Sequence, residues 1–302
     1  MRQTIVCLLL AAMMIACSSR QVTESIDTTP VDTASLKVAV MPTLDCLPLY
    51  VAQDRGLFAS DSVDVSLVVY QAHMDCDTAL LRGRVEGMMS DLVRTEVIRQ
   101  QGFPLRYVSA TNLSWQLVTS QLARIKQPAQ LYDKMVAMTR FSATALLADK
   151  IVSEARLDSD HVFFIQVNDV SVRLSMLETG VMDALLMPEP QATQARLAGC
   201  YVLMDTDADD MHLGVMAFSE SALQSPHRQA QLDAFVHAYN AACDSINSHG
   251  LAAYRDLITT YCGVKAATVD SLPSHIRYEH ASPPRLSDME TVANWLRRIR
   301  ES

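Results

Sequence analysis

Between Leu36 and Phe218 the chain alternates short apolar, β-branched runs with segments of helical pattern, and no other feature restricts its fold as much. Leu36 to Val40 reads as a strand and Leu47 to Arg55 as a helix stopped by Gly56. Val63 to Tyr70 is a second strand, Asp75 to Arg82 a helix, and Val85 to Met89 a third strand after Gly83. Leu92 to Gln101 is again helical, and Leu105 to Ala110 is extended. A strand followed by a helix and another strand implies parallel pairing with helices covering the sheet.

After a polar stretch the rhythm starts again, which points to a second lobe. Leu117 to Leu122 is strand-like, Gln127 to Tyr132 a short helix, and Met135 to Met138 a strand. Ser142 opens a helix running to Ala155, Val162 to Val167 is extended, Ser171 to Glu178 helical, and Ala184 to Met187 extended. Tyr201 to Met204 and Val215 to Phe218 complete the strands, and the chain from Arg228 onward is mainly helical. Leu80 to Met89 and Met176 to Leu185 echo each other as helix end, glycine, valine, small residue and buried strand. Such an echo is weak by itself, since any helix, turn and strand tends to read that way.

The beginning of the chain speaks to compartment. Arg2 precedes an apolar run, Ile5 to Ile15, closed by Ala16 and Cys17. Spanning about 30 Å of hydrocarbon takes roughly 20 residues, so this run is a cleaved signal rather than a membrane helix. It resembles a bacterial lipoprotein signal, which implies a signal peptide over 1–16 and acylation of Cys17; Met14 departs from that pattern, where leucine is usual. An ordinary secretory signal with an incidental cysteine is the alternative. Residues 17–35, rich in Ser, Thr and Asp, form a tether with too little apolar surface to offset the entropy of ordering. The expected location is therefore outside the cytoplasm, lipid-anchored, with the body in the periplasm or on the outer face of the cytoplasmic membrane.

A net charge of −9 and the lack of any basic stripe argue against nucleic acid as a partner. Beyond Cys7 and Cys17 the cysteines are Cys46, Cys76, Cys200, Cys243 and Cys262, with no CxxC and no Cys/His cluster of metal-ligand spacing. Cys46 and Cys76 each follow an aspartate just beyond the ends of the first two strands. Neighbouring strands lie about 4.8 Å apart and bridged cysteines need Cα separations of about 4.4 to 6.8 Å, so a disulfide is permitted, with two free thiols as the alternative. No GxSxG, HExxH, GxGxxG or GxxxxGK occurs. Neither a cofactor nor a metal is expected.

Val51 to Phe58 followed by Val63-Asp64-Val65, then Ala79 to Gly87, then Met176 to Glu189 with Asp183-Ala184, together resemble the type II periplasmic binding proteins. The resemblance is to the group serving sulfonate, nitrate, taurine and thiamine-pyrimidine importers, and it covers about two thirds of the mature chain. It implies a two-lobed α/β fold, each lobe a mostly parallel sheet with helices on both faces. Lobe one is expected at 36–114 and 215–302 and lobe two at 115–214. It also implies a monomeric, non-enzymatic solute-binding protein whose partners are a small-molecule ligand and the permease and ATPase of an ABC transporter. The competing classes are an enzyme on the same scaffold, of the pyrimidine-synthase or menaquinone-pathway dehydratase kind, and a ligand sensor without transport.

Ligands of open parallel sheets sit beyond the carboxyl ends of the strands. That rule selects Thr43, Leu44, Asp45, Asp91, Trp115, Thr139, Arg140, Ser142 and Glu189 as ligand-binding candidates. Ser142 could offer helix N-terminal donors to an anion or simply cap its helix. Asp45, Asp91 and Glu189 could accept from an amine or a pyrimidine, or be solvated or capping carboxylates. Trp115 could wall a ring or pack the hinge. With three carboxylates against Arg140 and Arg94, the expected ligand is amine-bearing or a thiamine-related pyrimidine rather than a simple anion.

Overall fold

The computed structural model describes residues 35–301; the signal segment, the tether up to 34 and Cys17 lie outside them. In chain order the first run is β1 (Leu36–Val40), α1 (Leu47–Asp54), β2 (Val65–Val69), α2 (His73–Leu81), β3 (Gly87–Asp91), α3 (Leu92–Gln100) and β4 (Leu105–Ala110). The second is β5 (Trp115–Thr119), β6 (Lys134–Met138), α4 (Ala143–Glu154), β7 (Val162–Gln166), α5 (Val170–Glu178), β8 (Ala184–Pro188), α6 (Gln191–Leu197) and β9 (Tyr201–Asp205). The chain then returns through β10 (Gly214–Ser219) and ends in α7 (Pro226–His249), α8 (Arg255–Cys262) and α9 (Leu286–Glu301).

Two five-stranded sheets result, ordered β2-β1-β3-β10-β4 and β7-β6-β8-β5-β9. In each, three strands pair in parallel, and one strand that has crossed from the other lobe is inserted antiparallel before the last. The two topologies are the same. β3 and β8 occupy equivalent places, which is where the echoed segments fall. A strand with neighbours on both sides and helices on its faces must be apolar throughout, and β1, β3, β8 and β10 are buried along nearly their whole length. Gly87 is obligatory in β3, because a Cβ there would stand 2.5 Å from the Phe218 ring.

The two crossings run side by side. Thr111 N donates to Gly214 O at 2.9 Å, and Trp115 N to Thr206 Oγ1 at 2.9 Å. Elsewhere the lobes touch through Leu44 N to Glu189 O (2.9 Å), Val170 N to Gln71 O (3.3 Å), and Gln191 Nε2 to both Pro42 O (2.7 Å) and Cys262 O (3.0 Å). Helix α7 packs on the first sheet through Leu232, Phe235 and Tyr239. Helix α9 lies across both lobes. Val292, Trp295 and Leu296 share one core with Leu92 and Val93 of α3 and with Leu146 and Leu147 of α4, and Trp295 Nε1 donates to Asp149 Oδ2 at 3.0 Å. Among the described residues no helix is long and apolar enough to cross a membrane.

The expected Cys46–Cys76 bridge is absent: both thiols are free and buried. Met41 occupies each of them. Its backbone N–H donates to Cys46 Sγ at 3.3 Å, and Cys76 Sγ meets its Sδ at 3.7 Å. The helical turn Leu44–Cys46 aims its last side chain back at the end of β1, not across to α2. Helix α6, unassigned from the sequence, begins directly after the cis Glu189–Pro190 bond.

A candidate ligand site in the inter-lobe cleft

Between the lobes lies a small cavity of about 20 Å³, bounded by helix starts from both sides. His73 and Met74 come from the first turn of α2, Asp91 from the end of β3, and Arg94 from α3. The second lobe supplies Trp115, Thr139, Ser142, Thr144, Asn168, Val170, Arg173 and Pro188. This placement follows from local chemistry. Asp91 caps α3, its Oδ1 accepting from Arg94 N at 2.9 Å, and Ser142 caps α4, accepting from Thr144 N at 3.2 Å. Ala143, at the start of α4 on the opposite lobe, lies near enough for its backbone to draw the Asp91 carboxyl down against the effect of burial.

Two guanidinium groups reach this cavity. Arg94 is gripped by Asp77 of α2, with Nε to Oδ2 at 2.8 Å and Nη2 bonded to the same oxygen. Arg173 is 4% exposed and donates to Val167 O (2.7 Å), Leu186 O (3.0 Å) and Thr139 Oγ1, all neutral acceptors. Burial, then the nearby Arg94 charge, brings Arg173 down to about 10. Burial and both arginines hold His73 near 3, so it is neutral throughout the physiological range. Asp91 is pushed up to about 6 by burial, against the pull of Arg94 and of its backbone donors.

Asp91 from one lobe and Trp115, Thr139 and Ser142 from the other therefore line the same cavity, as their strand-end positions suggest. Thr43, Leu44, Asp45 and Glu189 do not line it. Asp45 accepts from Thr43 Oγ1 at 2.6 Å and Thr111 Oγ1 at 3.5 Å, while Leu44 O accepts from Tyr278. Glu189 caps α6 through Thr193 N (3.0 Å) and pairs with Arg196 (2.9 Å). Arg140 is exposed. The expected convergence of three carboxylates is thus replaced by one on the cavity, because Asp45 is engaged by Thr43 and Thr111 and Glu189 by the first turn and Arg196 of α6.

The sequence reading passed over His73 and Arg173, and a signal for each was present. Arg173 stands in the stripe Val170, Arg173, Leu174, Leu177 at i, i+3, i+4 and i+7, and His73 in the stripe His73, Cys76, Asp77, Leu80. An ionisable side chain on the inward face of a helix, alone in an apolar stripe as Arg173 is or beside Asp77 as His73 is, needs a buried partner.

Two lobes of one topology, two adjoining crossings and a cleft lined by helix starts define the type II periplasmic-binding-protein fold. Residues 43–250 match the NMT1/THI5-like family, and the chain belongs to it. No curated protein matches the chain. Among solved structures it is similar to the alkanesulfonate-binding protein of Xanthomonas axonopodis pv. citri bound to MOPS (TM-score 0.76, 15% identity, covering 88% of this chain and 93% of that one). It is also similar to the ligand-binding component of an ABC-type import system from Staphylococcus aureus with zinc bound (0.74, 14%, 89% and 92%). A third is the aliphatic sulphonate binding protein of Escherichia coli (0.72, 16%, 88% and 88%). At these identities the likeness is one of fold.

Proposed function

We propose that this chain is an extracytoplasmic solute-binding lipoprotein, acylated at Cys17, that closes its lobes on a small organic ligand and presents it to the permease and ATPase of an ABC-type importer. The observation that carries this reading is the cleft cavity, where buried donors from both lobes face a common space. A site assembled from two lobes joined by two adjacent crossings couples ligand contact to closure, since neither half holds the full set. The family and the import systems named among the structural neighbours support the same reading.

Of the carboxylates expected to hold an amine or a pyrimidine, Asp91 alone faces the cavity, with Trp115 as an apolar wall beside it. Denaturing the purified full-length protein and identifying the released small molecule by mass spectrometry tests the binding role. That compound, added back, should raise the melting temperature. Release of nothing, with no thermal shift across a broad metabolite panel, would count against it. Labelled palmitate incorporated by the wild type and lost in Cys17→Ala tests the anchor.

A further inference from the structure

Among the described residues, β2 and β4 form the edges of the first sheet, and β7 and β9 those of the second. An edge strand presents a row of unpaired backbone donors and acceptors, which bulges, charges and polar side chains blunt. β4 is bulged against β10, leaving Val108 without an opposite number, and it carries Arg106. β9 is bulged against β5 at Leu203. β2 is regular, but one face carries Ser66 beside Lys37 of β1, while Val65, Leu67 and Val68 pack onto the first core. β7 has none of these protections: it pairs with β6 in unbroken register and contains neither a charge nor a proline.

Because the lobes share one topology, β6 and β7 answer to β1 and β2 position by position. Val38 pairs with Gly87 as Val136 pairs with Ala184, which sets Met135 and Phe163 where Lys37 and Ser66 stand, and Ile165 in the place of Val68. Leu174 and Leu177 of α5 share a core with Ala137 of β6 and Leu185 of β8, and that core stops short of the edge. Phe163 is left 47% exposed and Met135 and Ile165 37% each, and none of them belongs to a hydrophobic core. An apolar strip along an unprotected edge is suited to receive another strand.

The strand is also complementary to itself. Asp133 N donates to His161 O and Val167 N to Met138 O, so the odd-numbered residues of this stretch turn their backbone groups toward β6. By alternation Val162, Phe164 and Gln166 turn theirs outward. When a second copy is laid antiparallel about a two-fold axis at Phe164, Val162 meets Gln166 and Phe164 meets Phe164, so each outward N–H finds an outward C=O. Phe163 then stands directly opposite Ile165 of the other copy, on the same face, in the closer kind of antiparallel pair.

We infer that the chain forms a two-fold dimer through β7, joining the second sheets of two copies into one continuous sheet. This is independent of the solute-binding reading and departs from the monomer that the family resemblance implies. One short strand and its apolar strip fall below the about 1,200 Å² of a standard interface, so the dissociation constant should be on the order of 10–100 μM. At the strand ends the two-fold brings Asp160 toward Asp169 of the other copy, so association should tighten with added salt.

Sedimentation of the full-length protein between about 1 and 300 μM, a range that brackets this affinity, tests it. The expected result is a reversible monomer–dimer equilibrium. Phe163→Lys and Ile165→Glu should each weaken the dimer at least tenfold, since each sets a charge against an apolar side chain of the other copy. Mixed together, the two variants should pair at least tenfold more tightly than either alone, because the register sets the new lysine against the new glutamate. Both positions are exposed, so melting curves close to that of the wild type are expected and serve as the folding check. A chain that stays monomeric throughout, as it would if the strip received a different partner, overturns the inference. So does a dimer indifferent to both substitutions, or a mixture that pairs no better than its components.

Discussion

Asp91 ends β3 and Asp45 sits in the helical turn that follows β1, and burial raises both to about 6, yet their surroundings oppose each other. Asp45 is enclosed by the hydroxyls of Thr43 and Thr111 beside the crossings, with Cys46, Cys262 and three tyrosines around it and, among the described residues, no ion-pair partner. Asp91 lies on a cavity wall, near two guanidiniums and a neutral histidine. A buried carboxylate thus holds a loop shut in one region and tunes a binding site in the other. Its role depends on whether its surroundings are closed by hydroxyls, as at Asp45, or open onto a cavity shared with cations, as at Asp91.

The largest expected effect comes from Asp45→Leu, which strands the buried hydroxyls of Thr43 and Thr111 that this carboxylate satisfies. It should cost about 3 kcal/mol or more in urea unfolding. Asp91→Leu removes a helix cap and should cost about 1–2 kcal/mol. Equal losses at the two sites would erase the distinction.

Next is the pH dependence of stability. Asp45 binds its proton more tightly folded than unfolded, so its contribution is fully present below about pH 4 and is lost as pH rises through about 6. A rise of about two units corresponds to about 3 kcal/mol. Asp45→Asn does not titrate, and its stability relative to wild type should climb by up to that amount between pH 4 and 7. A flat difference across that range would mean the carboxylate is not closed off from water.

Asp91 should register in binding. The groups facing it are Arg94, Asp77, Arg173 and His73, and the last is already neutral across the window. Protonation of Asp91 near 6 removes a negative charge from the cavity wall, so affinity should change several-fold between pH 7.5 and 5.5, rising towards acid for an anionic ligand and falling for a cationic one. In Asp91→Asn that slope should vanish, as read by calorimetry at fixed ionic strength. The smallest effect is in thiol chemistry. Burial pushes Cys46, Cys76 and Cys262 up and Cys243 to about 12, so a maleimide should label half-buried Cys200 first in the native protein and the others only on unfolding. Mapping under non-reducing conditions should find Cys46 and Cys76 both alkylated after denaturation.

Much of the fold was legible because its signals are local. β4 spans Leu105–Ala110 as its pattern indicates, and Ser142 caps α4 as a serine before an alanine-rich helix should. The antiparallel insertion of β5 and β10 was not legible, because strand direction within a sheet depends on where the chain returns from. Helix α6 escaped notice because the glutamate and proline before it read as a strand end, although the Glu189 carboxylate accepts from Thr193 N in its first turn.

For the site, the strand-end rule located Asp91, Trp115, Thr139 and Ser142 on the cavity, since position along a strand is written in the chain. What a side chain faces is not. Asp45, Asp91 and Glu189 are alike in sequence: acidic, at a strand edge, beside apolar runs. Only tertiary structure placed Arg196 against Glu189, two threonines against Asp45, and Arg94 near Asp91. The sequence alone determined two lobes of repeated strand and helix with a cleft at the strand ends. The meeting of the lobes decided which charged groups share the cleft, because the electrostatic balance of a buried site is summed over groups that meet only in three dimensions.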